Sequence, residues 1–102
     1  MENAEIAEVF RKIADMLEAR KDNVFKIRAY RKAAESIEAL NEPLKNFVRA
    51  DRLREVPGVG TAIAKKISEL VSTGKLGFYD RLKTEASGDN TPKPDSKGEK
   101  AR

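Results

Sequence analysis

Apolar residues recur every three or four positions through most of the chain, the spacing that lays them along one face of an α-helix. Ile6, Val9, Phe10, Ile13, Met16 and Leu17 keep this spacing from Asn3 to about Arg20 and predict a first helix, with Asn3 as its cap. Lys21-Asp22-Asn23 breaks the pattern. A second helix follows, capped by Asn23 and striped by Ile27, Tyr30, Ala34, Ile37 and Leu40. Two helices joined so closely are expected to pack as an antiparallel pair. Asn41-Glu42-Pro43 ends the second and opens a short third one edged by Leu44, Phe47 and Val48, since proline is tolerated in a first helical turn.

Asp51 is placed to cap a brief turn from Arg52 to Val56. The turn Pro57-Gly58-Val59-Gly60 comes next, and Thr61 to Thr73 predicts a longer helix with Ile63, Ile67 and Leu70 facing inward and Gly74 as its stop. A last short helix is expected from Gly77 to Ala86 around Phe78, Tyr79 and Leu82. From Ser87 onward the residues are almost all polar, too few apolar groups to offset ordering entropy, so 87–102 is expected to be a disordered tail. No alternating strand pattern and no internal repeat is evident. The expected architecture is all-α: a compact bundle of four to five short helices with one helix-hairpin-helix motif over 1–86, divided into an antiparallel pair (1–40) and a hairpin half (41–86).

Composition narrows the classes of function. At 102 residues there is room for one small domain, 37% charged and 39% hydrophobic, without tryptophan. A net charge of +4 and a pI near 9.4 favour a polyanionic partner. The absence of cysteine and histidine excludes a disulfide framework, a thiolate zinc site and Cys/His or Ser/His catalysis. No apolar run approaches the roughly 18 residues of a membrane span. The expectation is a cytoplasmic monomer, nucleoid-associated in a prokaryote, with no organic cofactor.

The hairpin carries the first candidate chemistry. Gly58 and Gly60 lack side chains, so their backbone N–H groups can approach a phosphate, beside a helix N-terminus that already favours an anion. The alternative is a plain connector in a SAM-like helical bundle. Phosphates bound this way carry no base sequence, so such binding is non-specific and falls with salt. The stretch from Lys21 to Lys32 sets Lys21, Lys26, Arg28, Arg31 and Lys32 against the single acid Asp22. Lys26 and Tyr30 lie one helical turn apart, although Tyr30 equally suits a core aromatic with its hydroxyl at the surface. At about 100° per residue, Lys65 falls opposite the inward stripe of its helix whereas Lys66 flanks it. Lys66 is therefore the lysine placed for partial desolvation, which lowers its pKa and frees its neutral, nucleophilic amine; the competing role is a stem snorkelling along apolar surface.

Asn23-Val-Phe-Lys-Ile-Arg-Ala-Tyr-Arg-Lys-Ala-Ala34, Val56-Pro-Gly-Val-Gly-Thr-Ala-Ile-Ala-Lys-Lys-Ile67 and Ser72-Thr-Gly-Lys-Leu76 together resemble the amino-terminal lyase domain of the family X DNA polymerases, the group that includes polymerase beta. The resemblance spans roughly Glu5 to Glu85. It implies a four-helix domain that binds single-stranded, gapped or nicked DNA in repair, often at a downstream 5′-phosphate. It also implies a monovalent cation, Na+ or K+, held by the backbone carbonyls of Arg54, Val56 and Val59. In lyase-active members a lysine at the position of Lys66 attacks C1′ of a 5′-deoxyribose phosphate to form a Schiff base, and β-elimination follows. Lys26 and Tyr30 match the phosphate-binding and active-site neighbours. Three positions depart from the pattern: Ala62 replaces a second phosphate-binding lysine, Lys65 replaces a glutamate, and Phe25 stands where some members have histidine.

The candidate set is thus Lys66 and Tyr30 for chemistry, and Lys26, Arg28, Arg31, Gly58, Val59, Gly60, Thr61 and Lys65 for DNA. The chain is too short for a nucleotidyl-transferase palm and is expected to be either a free-standing relative or a fragment of something longer, with Met1 and the polar tail favouring the first. The leading expectation is a DNA-binding module; the alternatives are an abasic-site lyase acting through Lys66, and a protein-interaction domain with a purely structural hairpin.

Overall fold

Two helices, α1 (Asn3–Ala19) and α2 (Val24–Ala39), form the larger half of a computed structural model that describes residues 1–86; the expected tail, 87–102, lies outside the described residues. Ile6, Phe10, Ile13 and Leu17 of α1 are fully buried, as the spacing requires, and Ala7 and Ala14 are buried with them. Ala33 and Ala34 do the same on α2, and small residues in a helix interface allow the backbones to approach closely. Arg11 pairs with Glu38, while Arg31 reaches Asp15 at 3.0 Å and Glu18 at 2.7 Å. Going up α1 therefore means going down α2. The pair is antiparallel.

The hairpin half adds α3 (Leu44–Arg49), a single 3-10 turn (Leu53–Glu55), α4 (Thr61–Thr73) and α5 (Gly77–Ala86). Among the described residues there is no strand, and no helix is long and apolar enough to cross a membrane. The fold is all-α. Leu44, Phe47, Leu53, Val56, Val59, Ile63, Ile67, Leu70, Leu76 and Leu82 extend the core from the helix pair under the hairpin.

Helix ends follow the sequence in part. Asn23 caps α2, its side chain accepting from the N–H groups of Phe25 at 2.7 Å and Lys26 at 3.3 Å. Asn3 is not the cap of α1. That position belongs to Glu2, whose N–H donates to the Glu5 carboxylate at 2.7 Å. Asn3, inside the first turn, is used across the fold instead: its amide donates to the Glu42 carbonyl and accepts from the Leu44 N–H, both at 2.9 Å, tying α1 to the start of α3.

Asp51 does not cap the 3-10 turn either. It sits in the left-handed region (φ 55°) just beyond α3, where its N–H donates to Val48 and the Arg52 N–H donates to Phe47. That is a Schellman closure, which satisfies the last carbonyls of a helix. Lys21 (φ 59°) closes α1 in the same way, with its own N–H on Glu18 and that of Asp22 on Leu17. Glycine is the residue that takes this conformation without a Cβ penalty, and at Gly74 (φ 76°) the chain uses one.

A lysine in a left-handed cap is a local cost that can be removed. Lys21→Gly is expected to raise the urea midpoint, a gain of about 0.5–1 kcal/mol, while Lys21→Ala gives none. Equal midpoints for the two variants would show that the cap carries no strain.

Candidate nucleic-acid interface

Three rings stack through the interior: Phe10 of α1 on Tyr30 of α2 (centroids 5.8 Å apart, planes 19° apart), and Tyr30 on Phe78 of α5 (6.1 Å, 16°). Lys66 of α4 closes the column, its Nζ 4.8 Å from the centroid of the Phe78 ring, a cation–π distance. Around this end lies an open cleft of about 480 Å³, lined by Lys26, Tyr30, Gly58, Gly60, Thr61, Ala62, Lys66 and Phe78 among others. The geometry thus brings together residues separated by more than 50 positions in the chain.

The electrostatics of the cleft centre on Lys66. Burial holds its ammonium below the ordinary lysine pKa; the nearby Lys26 charge adds to the effect and Arg81 contributes, while Glu69 opposes it. Lys26 is itself exposed and stands 3.6 Å from Asp22, a carboxylate kept below its usual range first by the Asn23 N–H and then by Arg20. Tyr30 is buried, and that burial pushes its phenol upward. Its hydroxyl makes no hydrogen bond among the described residues.

The two hairpin glycines serve different ends. Gly58 has φ +83°, and an added Cβ would lie 2.6 Å from the Lys32 side chain, so both conformation and space demand glycine there. Gly60 is in an extended conformation open to any residue, and nothing lies within 4 Å of where its Cβ would be. Left-handed backbone is therefore needed at only one of the pair. Gly60 instead leaves empty space at the start of α4, whose first N–H groups receive no side-chain cap; the first helical bond there runs from Ala64 to the Gly60 carbonyl. Uncapped N–H groups beside open space are the arrangement an anion needs. Val59, between the glycines, turns its side chain into the core.

Other members of the candidate set fall elsewhere. Arg31 is held by Asp15 and Glu18 on the α1 side, so its charge is spent within the fold; Arg28 is exposed but does not line the cleft. Lys65 points to the other flank of α4, alongside Arg54, whose guanidinium donates to the Thr61 hydroxyl at 3.1 Å. Of the carbonyls at Arg54, Val56 and Val59, that of Val56 already accepts from the Val59 N–H at 3.0 Å.

Three contributors escaped sequence reading. Phe78 matters here as the ring beneath Lys66, Arg81 as a charge near it, and Arg54 as a side chain bridging the two hairpin arms. Each acts across helices, and helical spacing reports only neighbours on the same helix.

Phe25, with 72% of its surface exposed, stands with half-exposed Val24 at the start of α2, next to Lys26. An exposed ring beside a cationic cleft is a site where stacking and backbone contacts can combine. Comparison of the chain with known families adds one finding, a helix-hairpin-helix domain model that matches residues 1–76. Domains of this kind generally bind DNA, typically without sequence preference. The match takes in both arms of the hairpin, the glycine turn between them and the helix pair on which they rest, and the chain belongs to the helix-hairpin-helix domain family.

Proposed function

We propose that this protein binds DNA backbone at gaps, nicks or single strands, with the cleft at the start of α4 as its phosphate grip. The observation that carries the reading is the convergence of Lys26, Lys66, Gly58, Gly60 and the uncapped α4 N-terminus on one open cleft. Lys26 and the α4 N–H groups supply the charge and donors for a phosphate. The exposed Phe25 ring supplies a platform for an unpaired base, which an intact duplex does not offer. Carbonyl oxygens are the donors a hard monovalent cation takes, and those of Arg54, Val56 and Val59 are the ones we assign to a Na+ or K+ steadying the turn.

A second reading, abasic-site lyase, is favoured by the placement of Lys66, whose Nζ lies over Phe78 at the cleft and whose ammonium burial holds below the ordinary lysine range. Its neutral amine would attack the C1′ aldehyde of an opened deoxyribose phosphate, water would leave, and the resulting imine would acidify C2′. Loss of that proton expels the 3′-phosphate. Lys66 resting on Phe78 is held at the cleft by ring and stem together, so its nitrogen is positioned there as well as desolvated.

Binding to gapped, nicked, single-stranded and intact duplex DNA, measured over a range of salt, tests the first reading. Lys26→Gln is expected to lower the magnitude of the log–log salt slope by about one, as loss of one phosphate contact does. Phe25→Ala should cost about 1–3 kcal/mol on single-stranded or gapped DNA and little on intact duplex. Uniform weakening on all four would remove the stacking role.

Borohydride trapping on an incised abasic substrate tests the second. An adduct that disappears in Lys66→Ala is expected, with a pH–rate midpoint below the ordinary lysine value of 10.5. Removing the neighbouring charge with Lys26→Gln raises the Lys66 pKa, so the midpoint moves up. No adduct, or one undiminished in Lys66→Ala, eliminates the lyase reading and leaves the binding one standing.

A further inference from the structure

A second groove, of about 360 Å³, runs along the other flank of α4 and is lined by Asp51, Leu53, Arg54, Thr61, Lys65 and Ser68, together with Ala64. At about 100° per residue, Thr61, Lys65 and Ser68 cluster on one side of α4, about a third of the way round the helix from Ala62 and Lys66. Arg54 reaches this flank from the 3-10 turn before the hairpin and is fixed there by its hydrogen bond to Thr61 Oγ1 at 3.1 Å. Among the described residues, neither Arg54 nor Lys65 has a carboxylate within ion-pairing distance. Two uncommitted cations and two hydroxyls in one groove are the donors that phosphate oxygens take. Asp51 lines the same groove without pairing to either cation, and its carboxylate repels an anion from that end.

Resting on the reading above, we propose that this groove is a second backbone-phosphate site, in which Arg54 and Lys65 hold another phosphate of the DNA gripped at the Lys66 cleft. The two sites adjoin at the start of α4, where Thr61 lines both. The bound backbone therefore passes over the first turn of α4, with one phosphate on each side of Thr61. The chemistry is that of a phosphodiester in a continuous backbone; a free phosphate ion satisfies the same donors and is separated from it by the test.

The experiment measures binding of a short duplex to the full chain by fluorescence anisotropy across a range of KCl. Wild type, Arg54→Gln with Lys65→Gln, Lys65→Gln alone and Asp51→Asn are compared, with inorganic phosphate added at constant ionic strength in a parallel series. Lys65 is exposed and makes no contact on which folding depends, so its single variant reports even where the double variant is impaired. The expected result is a salt slope smaller in magnitude by about one in the double variant, severalfold weaker binding in Lys65→Gln, and tighter binding in Asp51→Asn. Inorganic phosphate should not displace the duplex. A wild-type slope in the double variant, weaker binding in Asp51→Asn, or displacement by inorganic phosphate that Lys65→Gln abolishes would each overturn the second site while leaving the cleft intact. Wild-type protein that binds no DNA at low salt overturns the cleft reading itself and the second site with it.

Discussion

The ring column is the constraint on which the arrangement depends. Phe10, Tyr30 and Phe78 come from α1, α2 and α5, so stacking them fixes where the hairpin half sits on the helix pair. Aromatic pairs contribute about 0.5–1.5 kcal/mol beyond their buried area, but their greater effect here is positional. Tyr30, in the core, and Phe78, half-buried against it, are also walls of the cleft. Lys66 is desolvated because its Nζ lies over Phe78 rather than in open water. Shift α5 and the pKa of Lys66 shifts with it. The Asn3 bridge to α3 holds the far end of the same interface, so the hairpin half is fastened at two separated points.

Charge is distributed by a simple rule. Arg11, Arg20, Arg31 and Arg52 each hold two carboxylates; the clusters of Arg11, Arg31 and Arg52 are each left with one surplus negative charge, while Lys26 balances that of Arg20 through Asp22. A chain of net +4 must then carry its positive excess elsewhere. Around the hairpin that excess is visible in Lys32, Arg54, Lys65, Lys66 and Arg81. Exposed ion pairs add little to stability. Their effect is to sort a nearly balanced composition into a face that an anionic polymer approaches and one that it avoids.

This sorting marks what was legible in the sequence. Helix spacing located α1, α2, α4 and α5, because amphipathic periodicity, Asn23 and Gly74 are local signals. Lys26 with Tyr30, and Lys66 flanking its stripe, were likewise readable from one helix at a time. The caps at Glu2 and the left-handed Asp51 were not, since Asn3 and Asp51 have the right chemistry for a role that the tertiary fold gives to other residues. Arg31 looked available in a basic run until Asp15 and Glu18 arrived from a different helix. A run of like charge along a sequence is not a patch on a surface.

The same burial that suits Lys66 for chemistry unsuits it as a phosphate anchor. A phosphate placed directly on its nitrogen would stabilise the ammonium and offset the lowering that desolvation and Lys26 produce. A site that both binds backbone and preserves the lowered pKa of Lys66 therefore needs its phosphates held by other groups. Lys26 is exposed, the backbone N–H groups of α4 are donors that do not titrate, and Arg54 and Lys65 line the neighbouring groove. A division of labour follows from the electrostatics: cations that hold phosphate are best left in water, whereas a lysine used as a nucleophile is best kept out of it.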